Sequence, residues 1–171
     1  MRVVAKHLPD NAIVTEESGN AMQFYDLTET AAPHDFLTLT GGAIGSMMAV
    51  SIGAGIACPD RKVVNLLGDG SAMYTVQALW TLAREKVDAV TVIYANRGYK
   101  ILNNELKRVG AAQDGVLAAS MFDLQNPTLD WVALAQGMGV EAVRADTREA
   151  FEAAFASAMA RRGPMLIEAV I

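Results

Sequence analysis

The chain has 171 residues, of which 52 % are hydrophobic and 19 % are charged, and its formal net charge is −5. These values predict one globular domain, residues 1–171, and argue against a disordered chain or a nucleic-acid-binding surface. Cys58 is the single cysteine, and no cationic leader precedes an apolar signal core, so a cytoplasmic setting is expected. Without a second cysteine or a paired histidine, Cys58 is predicted to be a buried small hydrophobe.

The first part of the chain predicts the end of a helix, a turn, and a short strand over residues 12–15. A loop over residues 16–20 follows, and it ends in Ser-Gly-Asn. The lone His34 is expected in a solvated loop. A second strand, over residues 36–39, leads into Gly41 and Gly42, and paired glycines at a strand end are typical of backbone that closely approaches a flat or bulky group.

The most apolar stretch spans residues 43–57 and contains three glycines. It is too short to cross a membrane, which requires about 20 residues. A helix with so little polar surface is expected to be covered by protein on nearly every side, in part by another subunit.

Residues 63–99 predict a strand, a helix and a second strand. Residues 63–67 are apolar except for Asn65, as in a buried parallel strand, and residues 71–84 carry apolar side chains at helical spacing. That helix would travel about 21 Å, and a strand over residues 88–95 would return about 25 Å. The excursion therefore closes on itself, and a right-handed crossover places both strands in one parallel sheet.

Asp69 and Asn96 follow these two strands, so they are expected at the same edge of the sheet. If the strands are neighbours, the two side chains begin within about 5 Å of each other. A carboxylate and an amide supply oxygen ligands for a hard cation, and the helix that starts at Gly70 and Ser71 offers backbone amides to an anion. The combination suits a magnesium diphosphate, although a helix-capping aspartate in an ordinary βαβ unit is the alternative.

The remainder of the chain is less regular at first. Residues 100–127 show weak helical spacing interrupted by glycines, and loops of this length are often functional lids. A helix over residues 128–137, a strand over 140–143, a helix that begins with a capping box at Asp146 and Glu149, and a last strand over 164–171 complete the pattern.

The sequence Gly-Asp-Gly-Ser, followed by a helix, a strand and Asn-x-Gly-Tyr, resembles the cofactor motif of thiamine diphosphate enzymes. The neighbouring residues are similar to those of benzoylformate decarboxylases and acetolactate synthases, and the resemblance extends over nearly the whole chain. It implies a three-layer α/β/α fold with a mostly parallel sheet of about six strands. It also implies two cofactors, thiamine diphosphate and Mg²⁺.

The resemblance assigns roles to particular residues. It implies that Mg²⁺ is held by the Asp69 and Asn96 side chains and by the Gly98 carbonyl. Residues expected near the diphosphate are Gly19, Asn20, Gly70, Ser71, Lys100 and Ile101. For Gly19 and Asn20 a plain turn is equally acceptable. At the ring end, the Gly42 carbonyl would accept from the aminopyrimidine, and Ile44 would lie under the bent cofactor, unless Ile44 is merely the first core residue of the next helix.

Enzymes of this type also need a pyrimidine-binding module that supplies a glutamate, and no residue of this chain can be assigned that role. No catalytic residue is therefore predicted here. The partner module would lie in the same longer chain or in a separate subunit of a homo- or hetero-oligomer, and the substrate would be a small 2-oxo acid. The alternatives are a non-catalytic cofactor-binding or regulatory module and, less favoured, a Rossmann-like nucleotide-binding domain, because the G-x-G-x-x-G element is missing.

Overall fold

The computed structural model describes residues 1–19, 21–110 and 115–171. Within them, six strands form one parallel sheet in the order β2-β1-β3-β4-β6-β5. The strands are β1 (Ala12–Glu17), β2 (His34–Thr38), β3 (Val63–Gly68), β4 (Ala89–Ala95), β5 (Glu141–Ala145) and β6 (Met165–Val170). The predicted α/β fold with a sheet of about six strands is confirmed.

Helices cover both faces of the sheet. They are α1 (Arg2–His7), α2 (Ala21–Leu27), α3 (Ser46–Ala57), α4 (Asp69–Ala72), α5 (Ala78–Arg84), α6 (Lys100–Arg108), α7 (Val116–Ser120), α8 (Trp131–Gly137) and α9 (Arg148–Met159). One core packs Val4, Phe24 and Phe155 of α1, α2 and α9 against the sheet. The other packs α3, α5 and α8 against the opposite face. Among the described residues, no helix is long and apolar enough to cross a membrane.

Strand β1 is longer than its sequence predicts. It continues through Glu16 and Glu17, which were expected in a loop and are instead buried. Glu16 pairs with Thr38 of β2, and Glu17 pairs with Leu67 of β3, so both backbones belong to the ladder. Buried carboxylates need hydrogen-bond donors. Glu16 receives the Ser18 amide at 2.8 Å, whereas Glu17 turns to α3.

The predicted helix over residues 71–84 is divided in two. It begins earlier, at Asp69, and a 3₁₀ turn over Met73–Thr75 separates α4 from α5. The tighter turn brings the Thr75 hydroxyl within 2.6 Å of the Gly45 carbonyl oxygen, to which it donates. The interruption therefore ties this segment to the start of α3.

Helix α3 differs from its prediction in extent and in cover. It starts at Ser46 rather than at residue 43, and Gly45 precedes it with a left-handed φ of +85°. One face, with Ala49, Gly53 and Ile56, is exposed in this chain, so this domain alone does not supply the predicted cover on nearly every side. Cover by another subunit stays a prediction.

Three smaller expectations were also wrong. Cys58 is half-buried, because it lies just after the end of α3 rather than under the helix. His34 begins β2 and rests its ring edge against Phe24 instead of lying in a solvated loop. The N-cap of α9 is Thr147, whose hydroxyl accepts the Ala150 amide at 3.1 Å, rather than the predicted Asp146.

Candidate functional site

The candidate site lies at the carboxyl edge of the sheet. Strands β3 and β4 are neighbours, with Gly68 opposite Tyr94, so Asp69 and Asn96 leave the sheet at the same edge as predicted. The chain reverses its direction of winding between β1 and β3, since β2 lies on one side of β1 and β3 on the other. Ligands of open α/β sheets bind in the crevice at such a switch point.

Asp69 is the buried acid of this edge, with only 3 % of its surface exposed. Its Oδ1 accepts the Gly70 amide at 2.9 Å, and its Oδ2 accepts the Arg97 amide at 2.6 Å. Burial raises the pKa of Asp69, while these two amides and the Arg97 guanidinium oppose that rise. The carboxylate is thus held from both sides, and its remaining lone pairs can bind a cation.

The turn after β4 carries the other predicted metal ligands. Asn96 Oδ1 accepts the Gly98 amide at 3.0 Å, and the Gly98 carbonyl accepts the Lys100 amide at 3.0 Å. Arg97 has a left-handed φ of +58°, and its amide donates to Asp69. The described residues contain no cluster of three or more His, Cys, Asp or Glu side chains for a metal. One carboxylate, one amide and one carbonyl nevertheless form an oxygen set that suits Mg²⁺.

The helix start at Gly70 and Ser71 is closely packed. A Cβ on Gly70 would lie 2.5 Å from Cε1 of Tyr99, so the tyrosine ring covers this glycine. The Ser71 hydroxyl donates to the carbonyls of Glu17 and Gly68, each at 3.0 Å. Because that hydroxyl is engaged inside the domain, a contact between Ser71 and a diphosphate would use its backbone amide.

Lys100 and Ile101 open α6, and both are exposed. An open cavity of about 490 Å³ lies beside this turn. Its lining includes Asn96, Arg97, Gly98, Lys100 and Phe122. Arg97 and Lys100 bring positive charge to this cavity and Asp123 brings negative charge, and the two cations close to the predicted metal ligands are favourable for a phosphate group.

The predicted ring end is a separate turn between β2 and α3. Gly42 has a left-handed φ of +68°, and its carbonyl accepts the Ile44 amide at 3.0 Å. Ile44 is 54 % exposed, so it is not a core residue of the following helix. An exposed isoleucine on a glycine turn is accessible to a ligand, and the role of Ile44 under the cofactor stays a prediction.

Gly19 lies just beyond β1 with a φ of +77°, and the space around its Cα is open. Asn20, which was predicted beside it, lies outside the described residues. The structure thus brings Asp69 and Gly70 close to the turn of Asn96 and Gly98, and this cluster is joined through the Arg97 amide, which donates to Asp69. It joins the turn that carries Gly42 and Ile44 to that cluster only through other residues.

Those connecting residues were missed from the sequence. Glu17 accepts the amides of Gly45 and Met47, the latter at 3.0 Å, and Thr75 donates to Gly45. From the sequence, Glu17 was expected only as part of the loop over residues 16–20. Only the position of α3 at the end of β1 shows that the Glu17 carboxylate is directed to another element.

A parallel sheet that is wound on both faces, with oxygen ligands and glycine turns at its carboxyl edge, defines an α/β domain of the cofactor-binding class. The sequence matches the family described as "Thiamine pyrophosphate enzyme, C-terminal TPP binding domain" over residues 17–169. The chain belongs to this family, as its cofactor motif predicted.

Its relatives are enzymes that are considerably longer than this chain. It is 48 % identical over 171 residues to IlvX of Mycobacterium tuberculosis, a protein provisionally named acetolactate synthase large subunit. The match covers 99 % of this chain and 33 % of that protein. The chain is 37 % identical to benzoylformate decarboxylase of Pseudomonas aeruginosa, in a match that covers 94 % of this chain and 29 % of that enzyme. The chain thus spans about a third of the length of the curated relatives it matches.

Solved structures agree with these relatives. The thiamine diphosphate-dependent 4-hydroxybenzoylformate decarboxylase of Rhodococcus jostii RHA1 superposes with a TM-score of 0.81 at 32 % identity, over 98 % of this chain and 31 % of the other. Benzoylformate decarboxylase from Polynucleobacter necessarius gives a TM-score of 0.85 at 25 % identity, over 99 % and 32 %. The fold is that of one domain of these enzymes.

Proposed function

We propose that this chain is the thiamine diphosphate- and Mg²⁺-binding module of a 2-oxo acid decarboxylase or carboligase. The observation that carries the proposal is the buried Asp69 carboxylate, fixed by the amides of Gly70 and Arg97 beside Asn96 and Gly98. Two backbone donors hold this buried acid at the carboxyl edge of the sheet, next to its switch point, where ligands of open α/β sheets bind.

In this proposal each predicted residue keeps its role. Asp69, Asn96 and Gly98 would hold Mg²⁺, and the Gly42–Ile44 turn would receive the ring end. The diphosphate would lie against Gly19, Asn20, Gly70, Ser71, Lys100 and Ile101. The donor set of one carboxylate, one amide and one carbonyl supports a hard cation, and the positive charge of Arg97 and Lys100 supports a phosphate ligand.

When bound, thiamine diphosphate supplies the carbon nucleophile that attacks a 2-oxo acid. The residues of this chain bind and orient, and none of them is proposed to transfer a proton. A pyrimidine-binding module, in the same longer chain or in another subunit, would complete the site. Because the chain spans a third of its relatives, we infer that the activity needs such a module, and we propose a homo- or hetero-oligomer for the complete enzyme. The lone cysteine supports a cytoplasmic setting.

The test is thermal unfolding of the complete assembly with and without thiamine diphosphate and Mg²⁺. A ligand that binds the folded state stabilises it, by about 2.7 kcal/mol at 100 times its Kd, and therefore raises the melting temperature. Asp69→Ala is expected to abolish the rise. Asp146→Ala is the matched control. Asp146 also directly follows the carboxyl end of a strand, but that strand is β5, the last strand of the sheet and distant from the site.

No rise in the wild-type assembly, or an equal rise in the Asp69 variant, would contradict the proposed site. Carbon dioxide release from a panel of 2-oxo acids then separates the enzyme from a non-catalytic binding or regulatory module. Binding of the cofactor without any release, in the presence of the partner module, would favour the second alternative.

A further inference from the structure

Glu17 is a buried acid whose carboxylate leaves its own strand. It ends β1, and only 7 % of its surface is exposed. Its Oε1 accepts the Gly45 amide, and its Oε2 accepts the Met47 amide at 3.0 Å. Both amides belong to the first turn of α3, so the two oxygens are committed to the start of one helix.

Gly45 is fixed on its other sides as well. Its carbonyl accepts the Thr75 hydroxyl at 2.6 Å, and a Cβ in its place would lie 2.5 Å from Cβ of Tyr74. Its φ of +85° is one that side-chain-bearing residues rarely adopt. The amide, the carbonyl and the Cα of this one residue are therefore all held by neighbouring elements.

The turn before Gly45 is held by backbone hydrogen bonds of its own, such as that from the Ile44 amide to the Gly42 carbonyl. Gly41, Gly42, Ala43 and Ile44 are all exposed, and the two glycines have φ values of +64° and +68°. A turn with two left-handed glycines has high backbone freedom when nothing packs on it. Because the turn joins α3 at Gly45, the direction in which Ile44 projects also depends on the residues that hold Gly45.

The same carboxylate also neutralises the start of α3. A helix of twelve residues carries partial positive charge at its first turn, which would otherwise attract an anion. Glu17 fills that position with the protein's own charge. A diphosphate is therefore directed away from α3, to the cluster around Asp69 and Asn96. The turn at Gly42–Ile44 remains available to the uncharged aminopyrimidine ring.

We propose that Glu17 is a positioning residue that holds Ile44 where the cofactor ring is received, with Thr75 as its second anchor. This inference rests on the proposed function. It predicts that the Glu17 carboxylate matters for ligands that contain the ring and does not matter for ligands that consist of the diphosphate alone.

The experiment measures two dissociation constants by calorimetry in the complete assembly, one for thiamine diphosphate and one for inorganic pyrophosphate, each with Mg²⁺. Glu17→Gln keeps the shape of the side chain but sets an amide donor against a backbone donor. We expect at least a tenfold weaker binding of thiamine diphosphate and less than a twofold change for pyrophosphate. Exchange of the thiazolium C2 proton of the bound cofactor should slow in the same variant.

The matched control is Thr147→Ala. Thr147 caps α9, a second helix of twelve residues, at the distant edge strand of the sheet, so its loss destabilises a helix start without touching the turn. It should leave both constants unchanged. If Glu17→Gln does not fold, Thr75→Val tests the second anchor, with the same difference between the two ligands expected.

The outcomes are distinct. Failure of the wild-type assembly to bind either ligand overturns the proposed function. The positioning role alone is overturned if the wild type binds normally and the dissociation constant for thiamine diphosphate is unchanged in Glu17→Gln. The same result in Thr75→Val overturns it if Glu17→Gln does not fold. An equal loss of both ligands overturns it too, because that result assigns Glu17 to general stability.

Discussion

The ring of Tyr99 covers Gly70, one of the predicted cofactor residues. The ring atoms Cε1 and Cδ1 of Tyr99 would lie 2.5 and 2.7 Å from a Cβ on Gly70. Burial raises the pKa of Tyr99, and the nearby Tyr74 and Asp69 raise it further, so its hydroxyl stays protonated at neutral pH. A neutral ring thus lies over the first turn of α4, and a glycine is required beneath it.

We predict that Gly70→Ala destabilises the domain by about 1–3 kcal/mol, because the ring must move aside. Tyr99→Ala should remove most of that penalty. Urea unfolding of wild type, both single variants and the double variant gives the coupling energy between the two positions. Additive effects of the two substitutions would contradict a direct contact between them.

Helix α3 shows how one substitution can have opposite effects on two faces of an element. Gly55 faces the core, where a Cβ would overlap Cγ1 of Val87 and lie 3.5 Å from Cγ2 of Val63. Gly53 lies two residues earlier on the exposed face and has nothing within 4 Å. The two glycines have different reasons to be present, and only the first concerns packing within this chain.

Gly55→Ala is expected to cost about 1–3 kcal/mol, since Val87 is buried and cannot move freely. Gly53→Ala should stabilise the same helix by about 0.4–1 kcal/mol, because alanine loses less backbone entropy on folding. Urea unfolding of the two variants checks both signs. Destabilisation by Gly53→Ala in the isolated chain would contradict the open space around Gly53 on this face of α3.

The elements differ in how well the sequence predicts them. Strands β3 and β4 and their crossover follow from local apolar patterns, and the placement of Asp69 beside Asn96 follows from the closed excursion alone. The start of α3 could not be predicted in this way. Its boundary at Gly45 depends on Glu17 and Thr75, which lie 28 and 30 residues away along the chain. Contacts between distant segments leave no periodic signal in a sequence.

At the scale of the whole molecule, the first sixteen residues are part of the core although the family match begins at residue 17. Strand β1 lies between β2 and β3, and Val3 and Val4 of α1 pack against the sheet together with Leu8, which follows the helix. Lys6 donates to Glu152 of α9 at 2.5 Å, and this contact with that of His7 lowers the pKa of Glu152 to about 2. The beginning of the chain is thereby joined to α9, near its end.

We therefore predict that removal of residues 1–16 abolishes cooperative unfolding of this domain. The deletion separates β2 from β3 and removes the buried side chains of α1 and β1. Each fully buried valine or isoleucine contributes about 1.5–3 kcal/mol, against a typical total stability of about 5–15 kcal/mol. Thermal unfolding followed by circular dichroism measures the transition. Arg2→Ala, an exposed position of the same helix, should shift stability by about 0.5 kcal/mol or less. A sharp transition in the shortened chain would show that β2 can pair without β1.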